Sequence, residues 1–262
     1  MNVTKYSIKG QKMSEKIDLP AVFNTALRPD IIKRAVLAEQ SWKKQPKGVS
    51  KLAGKLVSVE NWGPGRGAAR VPRRKGSRTH SSQRAAFVPQ ARGGHKAHPP
   101  VVEKVISEKI NRKEHSLALK SAIAYTAQKI SVSERGHRFD EKIDFPIIVE
   151  SKVEEIEKTK DVLKLLANLG MNLELMRVKL GKRIRPGKGK RRGRKYKIPV
   201  GPLFVVSSKE CSFLKAGNNI LGTTVVHVNE ISTELLAPGT YPGRLTIWTE
   251  GSIKALDERF GW

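Results

Sequence analysis

Apolar and polar positions fall into short, regular blocks at both ends of this chain and lose all regularity in between. Residues 3–8 (VTKYSI) and 12–19 (KMSEKIDL) flank Lys9-Gly10-Gln11 and predict a β-hairpin. In RPDIIKRAVLAEQSW (28–42), Ile31, Ala35, Ala38 and Trp42 recur at helical spacing behind a Pro29-Asp30 start. From Lys43 to His98 apolar residues stand singly, and neither a 3.6 nor a 2.0 period persists. Order resumes beyond Pro99. Asn111 with Glu114 reads as a capping box, and Leu117, Ala118, Ala122, Ala124 and Ala127 build a small-residue helix to about Ile130. Residues 145–149 (FPIIV) read as a buried strand. Lys160 to Asn168 reads as a helix with Val162, Leu165, Leu166 and Leu169 inward and Gly170 as its stop. Residues 173–178 read as a short strand. LFVV (203–206) and TTVVHV (223–228) are near-continuous apolar runs suited to a parallel sheet covered on both faces. A short helix over 229–236, an edge strand at Thr246-Ile247-Trp248 and a last helix capped by Ser252 and running to Phe260 complete the pattern.

Strands alternating with helices predict an α/β layered domain with a mostly parallel central sheet flanked by helices. Residues 1–42 and 99–262 form that domain, 43–98 is a long extended basic loop inserted in it, and 177–197 is a second basic arm. A patternless stretch of this length inside a domain calls for a function, and it reads as an arm ordered by a partner.

Charge identifies the kind of partner. Residues 43–98 hold 14 Lys/Arg against the single acid Glu60, and 177–197 hold 12 Lys/Arg and no acid. These two segments carry nearly all of the formal net charge of +27. Cations crowded in this way repel one another unless a polyanion neutralises them, which points to nucleic acid. A membrane surface would want Lys/Arg opposite an apolar helical face, and both segments are too rich in Gly and Pro for that. No run of 18 apolar residues and no secretory signal is found. The single cysteine, Cys211, fits a reducing compartment.

Within the first segment, Arg66, Arg70, Arg73, Arg74, Arg78, Arg84 and Arg92 offer planar forks to phosphates and base edges. Interspersed glycines let backbone approach phosphates, and Trp62 and Phe87 suit base stacking. In the second, Gly181, Gly187, Gly189 and Gly193 punctuate the cations and Tyr196 is the stacking candidate. The plainer readings are a basic disordered linker and a nuclear localisation tract. Gly187-Lys188 is followed by Gly189 where a phosphate loop needs Ser or Thr, and the glycine spacing fits no dinucleotide fingerprint. His80, His95 and His98 with one distant cysteine do not make a closed zinc site, so no metal and no cofactor is expected. Cys211 has no local histidine partner, and Glu154-Glu155 and Asp257-Glu258 read as solvated helix faces. No catalytic residue is assigned.

RPDIIKRAVLAEQSW, GRGAARVPRRKG, RAAFVPQARGGHKAHPP and GKGKRRGRKYKIPVGPLFVVS together resemble the archaeal/eukaryotic branch of the universal L4 family of large-ribosomal-subunit proteins, over essentially the whole chain. The lack of a long C-terminal extension looks archaeal. That resemblance implies a cytoplasmic location in the large subunit, with an α/β domain on its outside and a loop passing between segments of large-subunit (23S-type) rRNA. It implies a loop tip at Gly63 to Arg74 that helps line the polypeptide exit tunnel, with Gly63, Pro64, Gly65, Arg66 and Gly67 at its end. Pro64 stands where many relatives carry a basic or polar residue. Trp62, Lys75, Arg78, Arg84, Arg92, His95 and Lys96 would then contact rRNA beside the arginines named above. Lys188, Lys190, Arg191, Arg192, Arg194 and Lys195 would do so from the second arm. Neighbouring large-subunit proteins and the nascent polypeptide are the other implied partners, and no membrane or reaction is implied. The alternatives are an RNA-binding regulator acting off the ribosome, a nucleic-acid enzyme with a pocket at the strand C-termini, and a DNA-compacting protein.

Overall fold

The structure, a computed structural model, describes residues 2–260. The chain divides into two compact units, one built from Met1–Trp42 with Glu108–Trp262 and the other from Lys43–Ser107. In chain order the strands are β1 Asn2–Tyr6, β2 Lys12–Asp18, β3 Val59–Asn61, β4 Pro72–Arg74, β5 Ile147–Val149, β6 Arg183–Ile184, β7 Tyr196–Lys197, β8 Leu203–Val206, β9 Thr224–His227 and β10 Thr246–Thr249. The helices are α1 Pro29–Trp42, α2 Arg112–Thr126, α3 Lys129–Glu134, α4 Thr159–Asn168, α5 Asn172–Leu180, α6 Phe213–Asn218, α7 Thr233–Leu236 and α8 Glu250–Phe260.

The larger unit is a six-stranded sheet of order β2-β1-β5-β10-β8-β9, parallel throughout except for the β1–β2 hairpin. Strand alternation sends successive residues to opposite faces, so each apolar run supplies two cores. Ile147, Val149, Phe204, Val206 and Ile247 meet Val162, Leu165 and Leu166 of α4 and Phe213 of α6. Ile148, Leu203, Val205 and Trp248 meet Ile32 and Val36 of α1, Leu119 and Ile123 of α2, Leu236 of α7 and Leu256 of α8. Phe204–Phe213 and Phe23–Trp248 pack edge to face at 4.9 and 5.7 Å. Each fully buried large side chain stabilises the fold by roughly 1.5–3 kcal/mol.

Several expectations are corrected. Residues 173–178 are helix α5, because Glu174 and Val178, four apart, are the buried pair and the Leu/Glu/Met-rich composition favours helix. Thr246-Ile247-Trp248 is not an edge; β10 lies between β5 and β8, with every residue buried. Ser252 lies inside α8, and Thr249 Oγ1 is the acceptor for the Ser252 amide. α1 turns Ile32, Ala35 and Val36 inward and leaves Trp42 54% exposed, its indole donating to the Glu108 carbonyl at 3.1 Å. Asn111 is the N-cap residue of α2 without a side-chain cap bond, and Glu114 pairs with Arg34 instead.

Beside Trp42, Ser41 Oγ accepts the Glu108 amide at 2.8 Å. The larger unit therefore holds the point where the chain leaves and the point where it returns within one residue's span. The inserted unit runs past His98 to Ser107, where Val49 N donates to Pro100 O at 3.3 Å and Gly48 lies against Val102.

Candidate nucleic-acid interface

In the inserted unit β3 and β4 pair antiparallel, with Val59 opposite Arg74 and Glu60 opposite Arg73. The pattern of apolar residues gave no hint of this hairpin, because backbone pairing in a three-residue ladder needs no buried face. A third segment joins it: Arg74 N donates to Arg84 O, Gln83 N to Arg74 O and Ala86 N to Pro72 O. Residues 62–71 form the loop that joins β3 to β4, and Gly65 and Gly67 take φ of 89° and 60°, which glycine adopts without strain.

The structure brings Trp62, Arg66 and Arg73 together. The guanidinium of Arg73 lies 4.6 Å from the Trp62 ring centroid and that of Arg66 5.2 Å. Arg74 Nη1 donates to Ser81 Oγ at 3.2 Å. Arg70, Lys75, Arg78, Arg84, Arg92 and Lys96 are exposed, and their side chains have no hydrogen-bond or ion-pair partner among the described residues. His95 sits apart from them: its half-buried ring packs at a tilt against Phe87, centroids 5.3 Å apart, and bonds to the Phe87 carbonyl, so it shapes the loop. Gly94, where a Cβ would sit 1.9 Å from Val88 O, and Gly54, tight against His95, are shaping positions that the sequence marks only as glycines.

The second arm is a smaller hairpin in the larger unit. β6 and β7 pair Arg183 with Lys197 and Ile184 with Tyr196, and a 3-10 turn over Lys188–Arg192 lies between them. Gly187 and Gly193, both at φ 76°, open and close that turn. Arg185 shapes the arm, its Nε donating to Arg194 O at 3.1 Å and its amide to Lys195 O at 2.8 Å. Lys182 and Lys195 lie 4.6 and 5.5 Å from the Tyr196 ring. Lys188, Lys190, Arg191, Arg192 and Arg194 are exposed, with no side-chain partner among the described residues.

Arg177 does not belong to the arm. It forks onto the fully buried Glu174 of its own helix at 2.8 and 2.7 Å and donates to Val200 O. Glu174 also accepts from His137 Nδ1 at 2.6 Å and from Arg138 N. Burial opposes the Glu174 charge, but the bonds from Arg177 and His137 outweigh it and hold the carboxyl down at about 2. Burial pushes the His137 imidazole below its ordinary value, so it stays neutral with Nε2 unpartnered.

The C-terminal edge of the sheet, where α/β enzymes place their chemistry, is filled by structural bonds. Glu154 accepts from Ser207 N, Ser207 Oγ and Thr249 Oγ1 at 2.8, 2.9 and 2.6 Å. Cys211 packs half-buried against the core, and burial pushes its thiol up.

Fold and surface define a class: an α/β body carrying glycine-punctuated hairpins whose exposed cations are largely without an acidic partner among the described residues. More particularly, the chain belongs to the Ribosomal protein L4/L1 family, which it matches over residues 17–259. It is similar to the large ribosomal subunit protein uL4 of Methanosphaera stadtmanae, 47% identical over 258 residues, covering 98% of this chain and 97% of that one. The uL4 proteins of Methanocaldococcus jannaschii and Haloquadratum walsbyi are 47% and 44% identical, each across 99% of this chain and 100% of their own.

Proposed function

We propose that this protein is a structural constituent of the large ribosomal subunit, in which residues 43–98 and the second arm bind large-subunit rRNA and support its assembly. Membership of the family and the names of its relatives support the setting. The observation that carries the RNA contact is the set of exposed Lys and Arg side chains on both hairpins that pair with no acid among the described residues. Each of these cations placed on a phosphate releases counterions. With about ten such contacts, log K falls against log salt with a slope of roughly −7 to −9. Trp62 and Tyr196 give the hairpins stacking faces. The glycine-rich tip, Gly63 to Gly67, offers close backbone approach with little side-chain bulk, which suits a wall of the polypeptide exit tunnel beside the nascent chain. The filled edge of the sheet supports a structural role over a catalytic one.

In-cell crosslinking with sequencing of the bound RNA tests this. Reads concentrated on a few large-subunit rRNA segments, joined to peptides from 60–98 and 182–197, are expected. Reads scattered over messengers would replace this reading with a regulator acting off the ribosome, and recovery of chiefly DNA with a DNA binder.

A further inference from the structure

We infer that Arg73, although it sits among the cations of the loop, positions the tip for RNA and is not itself a phosphate ligand. The inference rests on the RNA-binding reading above and specifies what one residue does within it. Arg73 Nη1 donates to Gln83 O at 3.0 Å and Nη2 to Ala69 O at 3.2 Å. Its guanidinium lies on Trp62, and its backbone bridges to Ala85. One planar fork thus ties four pieces of chain: β4, the tip at Ala69, the strand end at Trp62 and the third segment at Gln83. Nε is buried, so no phosphate oxygen reaches it in this conformation. Gln83 holds φ 59°, a left-handed conformation that a non-glycine residue keeps only when its surroundings hold it there. The bond from Arg73 to its carbonyl is part of that restraint. Arg66, also over Trp62, is exposed and has no other side-chain partner among the described residues, and Arg70, likewise exposed, has none among them. These two are the tip cations available to RNA.

Lysine keeps the charge but cannot fork to two carbonyls while lying flat on an indole. The test compares Arg73→Lys, Arg73→Gln and Arg66→Gln in the full chain, with binding to a large-subunit rRNA fragment measured across salt concentrations. A phosphate ligand lost to Gln lowers the salt slope by about 0.7–0.9, and Lys restores it. A positioning residue gives another pattern. Both Arg73 variants weaken binding by about tenfold with the slope unchanged, whereas Arg66→Gln lowers the slope. Amide exchange over residues 72–86 of the RNA-free chain supplies the second readout. It quickens in both Arg73 variants and not in Arg66→Gln. Full rescue by Arg73→Lys, a slope lowered in Arg73→Gln, or exchange over 72–86 unaltered in both Arg73 variants overturns the inference. Failure of the unaltered chain to bind the fragment would instead sink the RNA-binding reading, and the exchange data would still judge the positioning role.

Discussion

The larger unit and the two cationic hairpins solve the same problem, holding charge in place, in opposite ways. In the larger unit a buried charge is matched before any partner arrives: Glu174 by Arg177 and His137, and Glu39 by His115 and the amides of Thr233 and Glu234. On the hairpins the backbone is held by carbonyl bonds and glycine turns, while most cationic side chains have no acidic partner among the described residues. The first arrangement completes a fold; the second leaves cations exposed at the surface.

The widest separation of the two comes from charge removal. Changing Lys188, Lys190, Arg191, Arg192, Arg194 and Lys195 together to Gln is expected to cut the salt slope of rRNA binding by about 4 to 5. Thermal unfolding of the larger unit should not move, and a large fall in melting temperature would show that the arm is part of the fold. The converse variant, Glu174→Ala, strands Arg177 and His137 at the root of the second arm. It is expected to cost roughly 3–5 kcal/mol in urea unfolding, because the lost partner leaves charge uncompensated.

A smaller effect follows from pH. His137 has a lowered value in the folded state, so the fold binds fewer protons than the unfolded chain and its contribution is complete above the ordinary histidine value near 6.5. Stability is expected to fall as pH drops below that value. It falls again below about 4.5, toward the value of about 2 at which Glu174 finally protonates. In His137→Gln the first decline should vanish from a pH series of unfolding curves. The smallest effect is that of Ser41→Ala, which removes one acceptor at the root of the inserted unit. It should cost about 1 kcal/mol in the larger unit and leave the salt slope untouched.

The fold was legible where burial dictates residue type. The β8 and β9 strands follow from their near-continuous apolar runs, and the Val162–Leu165–Leu166–Leu169 face with Gly170 at φ 71° follows from helical periodicity. It was misread where two periods coincide. NLELMRVKL alternates like a strand, and only the packing of Glu174 and Val178 decides for a helix. The central place of β10 was hidden because its short run gives no sign of neighbours brought from distant sequence. In the hairpins, residue types alone set the expectation of a polyanionic partner. They did not show which arginines are spent on the protein itself, since Arg73, Arg177 and Arg185 look like their neighbours until their carbonyl and carboxylate partners are seen.

The bonds of Ser41 and Trp42 to Glu108 have a consequence for how such a protein can change. With both ends of the insertion fastened at one place, the larger unit experiences it as a closed ring, and only the ring's circumference enters the entropy of folding. Each doubling of that circumference costs about 0.6 kcal/mol. The insertion can therefore lengthen, shorten or be exchanged at little cost to the sheet that carries it.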